Sequence, residues 1–467
     1  MISKHFEDTV LKHFGFEFSG SQKKAIDEFI SFYFNHREDN LFVLKGYAGT
    51  GKTSLISSII KTLKDLKQNF VLLAPTGRAA KVFSAYSGES AYTIHKKIYR
   101  QKSATDVVTT FSLAFNKHFN TLFFVDEASM ISNSSGDSAF GSGRLLDDLM
   151  EYVYAGSNNR LVLIGDTAQL PPVGLELSPA LDGGYLSKNY SATVYEADMI
   201  DVMRQSELSG ILSNAIVVRA LIGCNDNLKL KVNNFPDVFN ISGGELLEAL
   251  EDCYGKYGVD STMVVCYSNK RANRYNGGIR RTVLYREDEF CNGDKIMIVK
   301  NNYFWCENDE NLDFIANGDI ATVVKVHRTK ELHGFRFANA DVSLNGRDDE
   351  INVWLMLDTL TSDYPALSSE DNRKFFLSVE QDYKNIRSRR KRMEAMRKDE
   401  FFNALQIKFA YAVTGHKAQG GQWDAVFIDQ GWLTEDMLND NYWRWLYTAI
   451  TRARKRLYFV NFKKEFF

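Results

Sequence analysis

Cysteine, proline and long apolar runs are all scarce in this chain of 467 residues. Its 5 cysteines (Cys224, Cys253, Cys266, Cys291 and Cys306) are scattered without a C-x-x-C pair, which argues against both a zinc site and a disulfide framework. There are only 6 prolines and no low-complexity tail. No apolar run approaches the roughly 20 residues that span a bilayer, and the N-terminus, Met1-Ile2-Ser3-Lys4-His5, lacks the apolar core of a signal peptide. The expectation is a cytoplasmic protein with no membrane partner. A formal net charge of −2 excludes coating of nucleic acid by bulk positive charge and leaves room for a local groove. With 44% hydrophobic and 25% charged residues the chain reads as globular, and its length predicts about three domains.

What is present begins with Gly46-Tyr47-Ala48-Gly49-Thr50-Gly51-Lys52-Thr53, directly after the apolar run Leu41–Leu44. The spacing is that of a phosphate-binding loop. Backbone N–H groups from Gly46, Ala48, Gly49, Thr50 and Gly51 surround phosphate oxygens, Lys52 reaches the terminal phosphates and Thr53 ligates Mg²⁺. The apolar repeat Leu55, Ile56, Ile59, Ile60, Leu63, Leu66 predicts the helix that such a loop requires. ATP and Mg²⁺ are the expected cofactors.

Other short apolar runs also end in chemistry. Phe70–Ala74 leads into Pro75-Thr76-Gly77-Arg78, Leu122–Val125 into Asp126-Glu127, and Leu161–Ile164 into Gly165-Asp166 and Gln169. Alternating with helical patterns, they predict a parallel sheet with ligands at the carboxyl ends of its strands. Asp126 is assigned to the metal, Glu127 to activation of the attacking water, and Gln169 to the γ-phosphate. A second such unit is predicted from Met263–Tyr267, Ile407–Val413, Ala425–Ile428 and Leu457–Val460. The fold class is α/β, with two tandem parallel-sheet domains. Between the halves of the second, residues 320–405 read as a small β-rich insertion followed by a charged helical stretch.

Taken together these motifs resemble those of superfamily 1 helicases, in the branch that holds RecD, the phage Dda helicase and Pif1. The quoted segments are Gln22 in Phe18-Ser19-Gly20-Ser21-Gln22, Ala74 to Lys81, Thr93-Ile94-His95, Val202-Met203-Arg204-Gln205, Phe314 to Asp319, Thr414 to Gly420 and Tyr447 to Ala453. The layout is closest to a compact Dda-like or short RecD-like enzyme. The resemblance implies RecA-like domains, an SH3-like insertion, and translocation on single-stranded DNA in the 5′→3′ direction with unwinding at single-strand/duplex junctions. It implies nucleotide contacts at Gln22, Ser54 and Gly420, arginine fingers at Arg452 and Arg204, and DNA contacts at Pro75, Thr76, His95, Thr414, His416 and Lys417.

The predicted domains are 1–240, with a hairpin insertion near 97–120; 241–319 with 406–467; and the inserted 320–405. Three readings stay open. The helicase alternative is an RNA helicase, or an ATPase subunit that does not itself unwind. Phe111 and Phe115 either separate strands or belong to the core. The run Arg387, Arg389, Arg390, Lys391, Arg392 either tracks phosphates or is a solvated helix face.

Overall fold

The computed structural model describes the chain apart from residues 1, 36, 38, 102–110, 134–140, 203–208, 225–226, 307–313 and 345–348. Two parallel sheets dominate it. The first has six strands in the spatial order Ala91–Thr93, Asn69–Ala74, Thr121–Val125, Arg160–Gly165, Asn40–Gly46, Thr193–Met199. Its central strands are buried along their length because helices cover both faces, which is why they read as unbroken apolar runs. One face is filled by an aromatic layer of Phe6, Phe29, Phe32, Phe42 and Phe124 beneath the helices Ile2–Phe14, Gly20–Phe34 and Lys52–Asp65. Among the described residues no helix is long and apolar enough to cross a membrane.

The second sheet has five parallel strands in the order Ala412–Thr414, Thr262–Cys266, Trp423–Asp429, Ala453–Val460, Val238–Ile241. Helix Gly210–Ala220 contributes Ile211, Ala215 and Val218 to the core on this sheet, beside Trp423, Val426 and Leu446. The expected division at 240 therefore falls too late. Residues from 210 onward pack with the second unit, and Val238–Ile241 is hydrogen-bonded to Ala453–Val460. Periodicity reveals a helix but not which of two apolar sheets it covers.

The inserted unit is a closed five-stranded barrel of Lys295–Ile298, Ile320–Leu332, Phe335–Leu344, Glu350–Met356 and Leu405–Phe409. It exceeds the expected 320–405 at both ends. The run Ile407–Val413, expected as one strand of the second sheet, is divided. Leu405–Phe409 pairs with Lys295–Ile298 in the barrel, and Ala412–Thr414 pairs with Thr262–Cys266 in the sheet. The buried carboxamide of Asn276 makes this handover possible. Its Oδ1 accepts from the N–H groups of Tyr411 (3.0 Å) and Ala412 (2.7 Å), and its Nδ2 donates to the carbonyls of Phe409 (3.1 Å) and Ala412 (3.0 Å). Backbone groups that leave one ladder before joining the next are thereby satisfied. The charged stretch forms helices Ser369–Asp382 and Arg389–Arg397, which pack on the barrel through Phe375, Val379 and Met396.

Candidate active site at the domain interface

The phosphate loop joins the strand Asn40–Gly46 to the helix Lys52–Asp65. Gly49 (φ +79°) and Gly51 (φ +81°) are left-handed, and Gly51 caps the helix. A side chain at Gly51 would also meet Gln22 Nε2, because its Cβ would lie 2.7 Å away. Glycine is needed there for both reasons. Gln22 is fully buried; its Nε2 donates to the Thr50 carbonyl (2.9 Å) and its Oε1 accepts from Ser19 N (2.9 Å), so it braces the loop from behind. Lys52 Nζ donates to the Gly46 carbonyl at 2.6 Å.

Across the loop, Asp126 and Glu127 end the strand Thr121–Val125. Asp126 accepts from the Tyr86 hydroxyl (2.7 Å) and from Glu127 N (2.8 Å). Glu127 stands at φ +53°, a left-handed backbone that costs a non-glycine residue stability and that turns its side chain away from the strand. Burial raises the pKa of both carboxyls. Tyr86 and the Glu127 N–H oppose that shift at Asp126, and Arg452 opposes it at Glu127.

Arg452 comes from the second domain. Only 4% exposed, its guanidinium donates to the Thr448 carbonyl (3.0 Å), the Gly421 carbonyl (3.3 Å) and Thr451 Oγ1 (3.1 Å), and it lies 3.8 Å from Glu127 Oε1. Gln169 is also buried, with Oε1 lacking a protein partner. Lys52, Thr53, Asp126, Glu127, Gln169 and Arg452 all line one cavity of about 740 Å³.

This lining fits a nucleoside triphosphate with Mg²⁺. A hydroxyl and one carboxylate are enough protein ligands for Mg²⁺, which takes its other oxygens from phosphate and water. Cations from both domains face the phosphate side. Thr53 and Asp126 would hold the metal, which when bound neutralises charge on the phosphates. Gly420 does not line this cavity; its α-carbon faces Thr76 and Ala79, where the two domains touch. Ser54 lies in the first turn of the helix, also outside the lining. Arg204 falls outside the described residues. Sequence reasoning missed Tyr86 and Gln422, which share the cavity, and gave Asp166, at the end of its strand, no role.

A second cavity of about 660 Å³ runs along the edge of the first sheet, between Gly77, Lys81, Thr93 and Lys96 on one side and Phe314 and Asp319 on the other. Thr76, after Pro75, caps the helix Gly77–Ser87. His95 is half-buried with its ring 5.6 Å from that of Tyr99. In the second domain Thr414 precedes the short helix Gly415–Ala418, with His416 exposed and Lys417 half-buried. Arg78 stacks on Trp423 at 4.4 Å, joining the two sides.

The strands Tyr99–Gln101 and Phe111–Leu113 pair as an antiparallel hairpin whose tip lies outside the described residues. Phe111 is 9% exposed and packs 4.4 Å from the Tyr303 ring, which makes it a core residue. Phe115, 85% exposed, is free to meet a ligand.

Two sequence families match in tandem: an AAA domain over residues 17–216 and a UvrD-like helicase C-terminal domain over 409–460. The ATP-dependent RecD2 DNA helicase of Deinococcus radiodurans is 25% identical, over 90% of this chain and 46% of its own length. The ATP-dependent DNA helicase Dda of Enterobacteria phage T4 is 22% identical, over 82% of this chain and 86% of its own. Over most of its length the chain is thus similar to ATP-dependent DNA helicases of the RecD and Dda kind. It spans about half of RecD2 and most of Dda. A solved structure described as two Pif1 helicases unwinding forked DNA covers 96% of this chain and 94% of its own at 16% identity, with a TM-score of 0.48. The two parallel sheets and the closed barrel inserted in the second unit agree with the α/β architecture expected from the sequence.

Proposed function

We propose that this protein is an ATP-driven motor that moves 5′→3′ on single-stranded DNA and unwinds duplex at junctions. The observation that carries the motor reading is Arg452, held by the second domain 3.8 Å from Glu127 in a cavity whose phosphate loop belongs to the first. A cation delivered across the interface stabilises charge on the departing γ-phosphoryl only while the domains are closed, so hydrolysis and domain position become linked. Lys52 and Thr53 hold the phosphates and Mg²⁺, Glu127 takes the proton of the attacking water, and Gln169 senses the γ-phosphate. A strand lying across both domains is gripped alternately through its backbone, which carries no base sequence. DNA preference is taken from the relatives, which are DNA helicases by name, and the 5′→3′ direction from the resemblance of the sequence motifs alone.

Partial duplexes with 5′ or 3′ tails, made in DNA and in RNA, test this with ATP and Mg²⁺. Unwinding of 5′-tailed DNA is expected. Unwinding of 3′-tailed DNA alone overturns the polarity, RNA unwinding with inert DNA overturns the substrate, and ATPase without unwinding leaves a translocase or regulatory subunit.

The DNA grip has a pH signature. Burial lowers the pKa of Lys417 to about 8, and burial together with Lys417 lowers that of Lys408 to about 8. A phosphate contact needs the ammonium form, present below that pKa and lost above it. Affinity for an oligo-dT strand, read by anisotropy at fixed salt, is expected to fall between pH 7 and pH 9. Lys417→Arg should flatten that fall, and Lys417→Met should lower the salt slope by about 1. An unchanged pH profile in both variants would remove Lys417 from the interface.

A further inference from the structure

Tyr447 belongs to the second-domain helix Asp440–Ile450 and is 1% exposed. Its hydroxyl accepts from Ala48 N in the phosphate loop at 2.8 Å and donates to Asp166 Oδ2 at 2.7 Å. The other oxygen of Asp166 accepts from Ala168 N (2.9 Å), one residue before Gln169. Three bonds therefore run from the phosphate loop, through a side chain of the other domain, into the segment that carries Gln169. The polarity is fixed, since an amide N–H can only donate and a carboxylate can only accept. Burial and the nearby Asp166 push the phenol well above its ordinary pKa, so it stays a neutral donor.

Neighbouring second-domain groups hold the same segment. Thr448 Oγ1 accepts from Leu170 N (2.9 Å), Gln419 Nε2 donates to the Leu170 carbonyl (2.7 Å), and Arg444 donates to the Thr167 carbonyl. Those contacts reach the Gln169 segment; the Tyr447 hydroxyl reaches the phosphate loop as well. The Thr448 carbonyl on the same helix also receives Arg452 Nε, so the phenol and the guanidinium are set by one rigid element.

We infer that Tyr447 is a positioning residue that ties the phosphate loop to the Gln169 segment when the second domain closes, so that Arg452 arrives at a nucleotide site already aligned. This deepens the ATPase reading and rests on it. By bonding Ala48 N, expected from the sequence to face phosphate, the phenol fixes the curvature of the loop from outside. By bonding Asp166 it fixes the stem of the Gln169 loop. Its effect belongs to the closed arrangement, and therefore to turnover more than to nucleotide capture.

Tyr447→Phe removes one oxygen and keeps the ring. In the full chain, with saturating oligo-dT and Mg²⁺, kcat for ATP is expected to fall by about tenfold or more while KM and the affinity for a fluorescent ATP analogue stay within about twofold. Asp166→Asn, at the other end of the bond, should give a similar loss, and the double variant should be no worse than the more impaired single one. If Tyr447→Phe melts too early to assay, Asp166→Asn with the same kcat-against-KM comparison serves in its place. Losses that multiply in the double variant, a kcat within twofold of the parent, or a loss confined to nucleotide affinity would each overturn the coupling role. A parent without nucleic-acid-stimulated ATPase would instead overturn the ATPase reading itself.

Discussion

Glu127→Gln should bind ATP as the parent does and hydrolyse it about 10²- to 10⁴-fold more slowly, the range by which a positioned general base accelerates proton transfer. The substitution is nearly isosteric, and it leaves Lys52, Thr53 and Asp126 untouched. Single-turnover hydrolysis alongside equilibrium binding of a fluorescent analogue separates the two effects. The pH profile gives a second readout. Burial raises the Glu127 pKa above the ordinary glutamate value, and only the ionised form accepts a proton. Activity is therefore full above the raised pKa and lost as pH falls through it, so the parent's acid limb should lie above the usual carboxylate range. Parental turnover in Glu127→Gln would remove Glu127 from water activation.

Arg452→Ala should slow hydrolysis by about 10³-fold or more, if the guanidinium acts as arginine fingers do. Ground-state binding should change far less, because charge at the γ-phosphoryl grows in the transition state. The substitution also strips a donor from the buried Gly421 carbonyl, and a buried carbonyl left unpaired costs about 1–3 kcal/mol. Arg452→Lys separates the two consequences. It keeps the charge but not the planar fork, so partial recovery of turnover points to charge, and none points to bidentate geometry. Equal losses of binding and hydrolysis in Arg452→Ala would assign the residue to nucleotide capture.

What could be read from sequence was what is local in sequence. The phosphate loop, the Asp126–Glu127 pair, Gln169 and Arg452 each stand in a short motif with its own spacing, and the structure brings them to one cavity. The partners that tune them are distant along the chain. Tyr86 lies 40 residues before Asp126 with no local signal beyond an aromatic, and Tyr447, although it opens the quoted segment Tyr447 to Ala453, lies 281 residues after Asp166 with nothing nearby to name its partners. Architecture followed the same rule. Strands were legible as apolar runs, but their allegiance was not: Ile407–Val413 alternates smoothly while its two ends join different sheets. The signal that divides it is Asn276, whose role depends on contacts more than 130 residues away. Phe111 was undecided because a buried and an exposed phenylalanine look the same in a β-prone stretch.

That handover at Asn276 has a mechanical consequence. The last barrel strand ends at Phe409 and the sheet strand begins at Ala412, so no slack linker separates them, and the sheet strand itself ends at Thr414, on the threshold of His416 and Lys417. The barrel is thus a lever arm welded to the second domain. In the proposed motor, a load on the barrel from an opening duplex would be delivered within a few residues to the loop proposed to hold the strand.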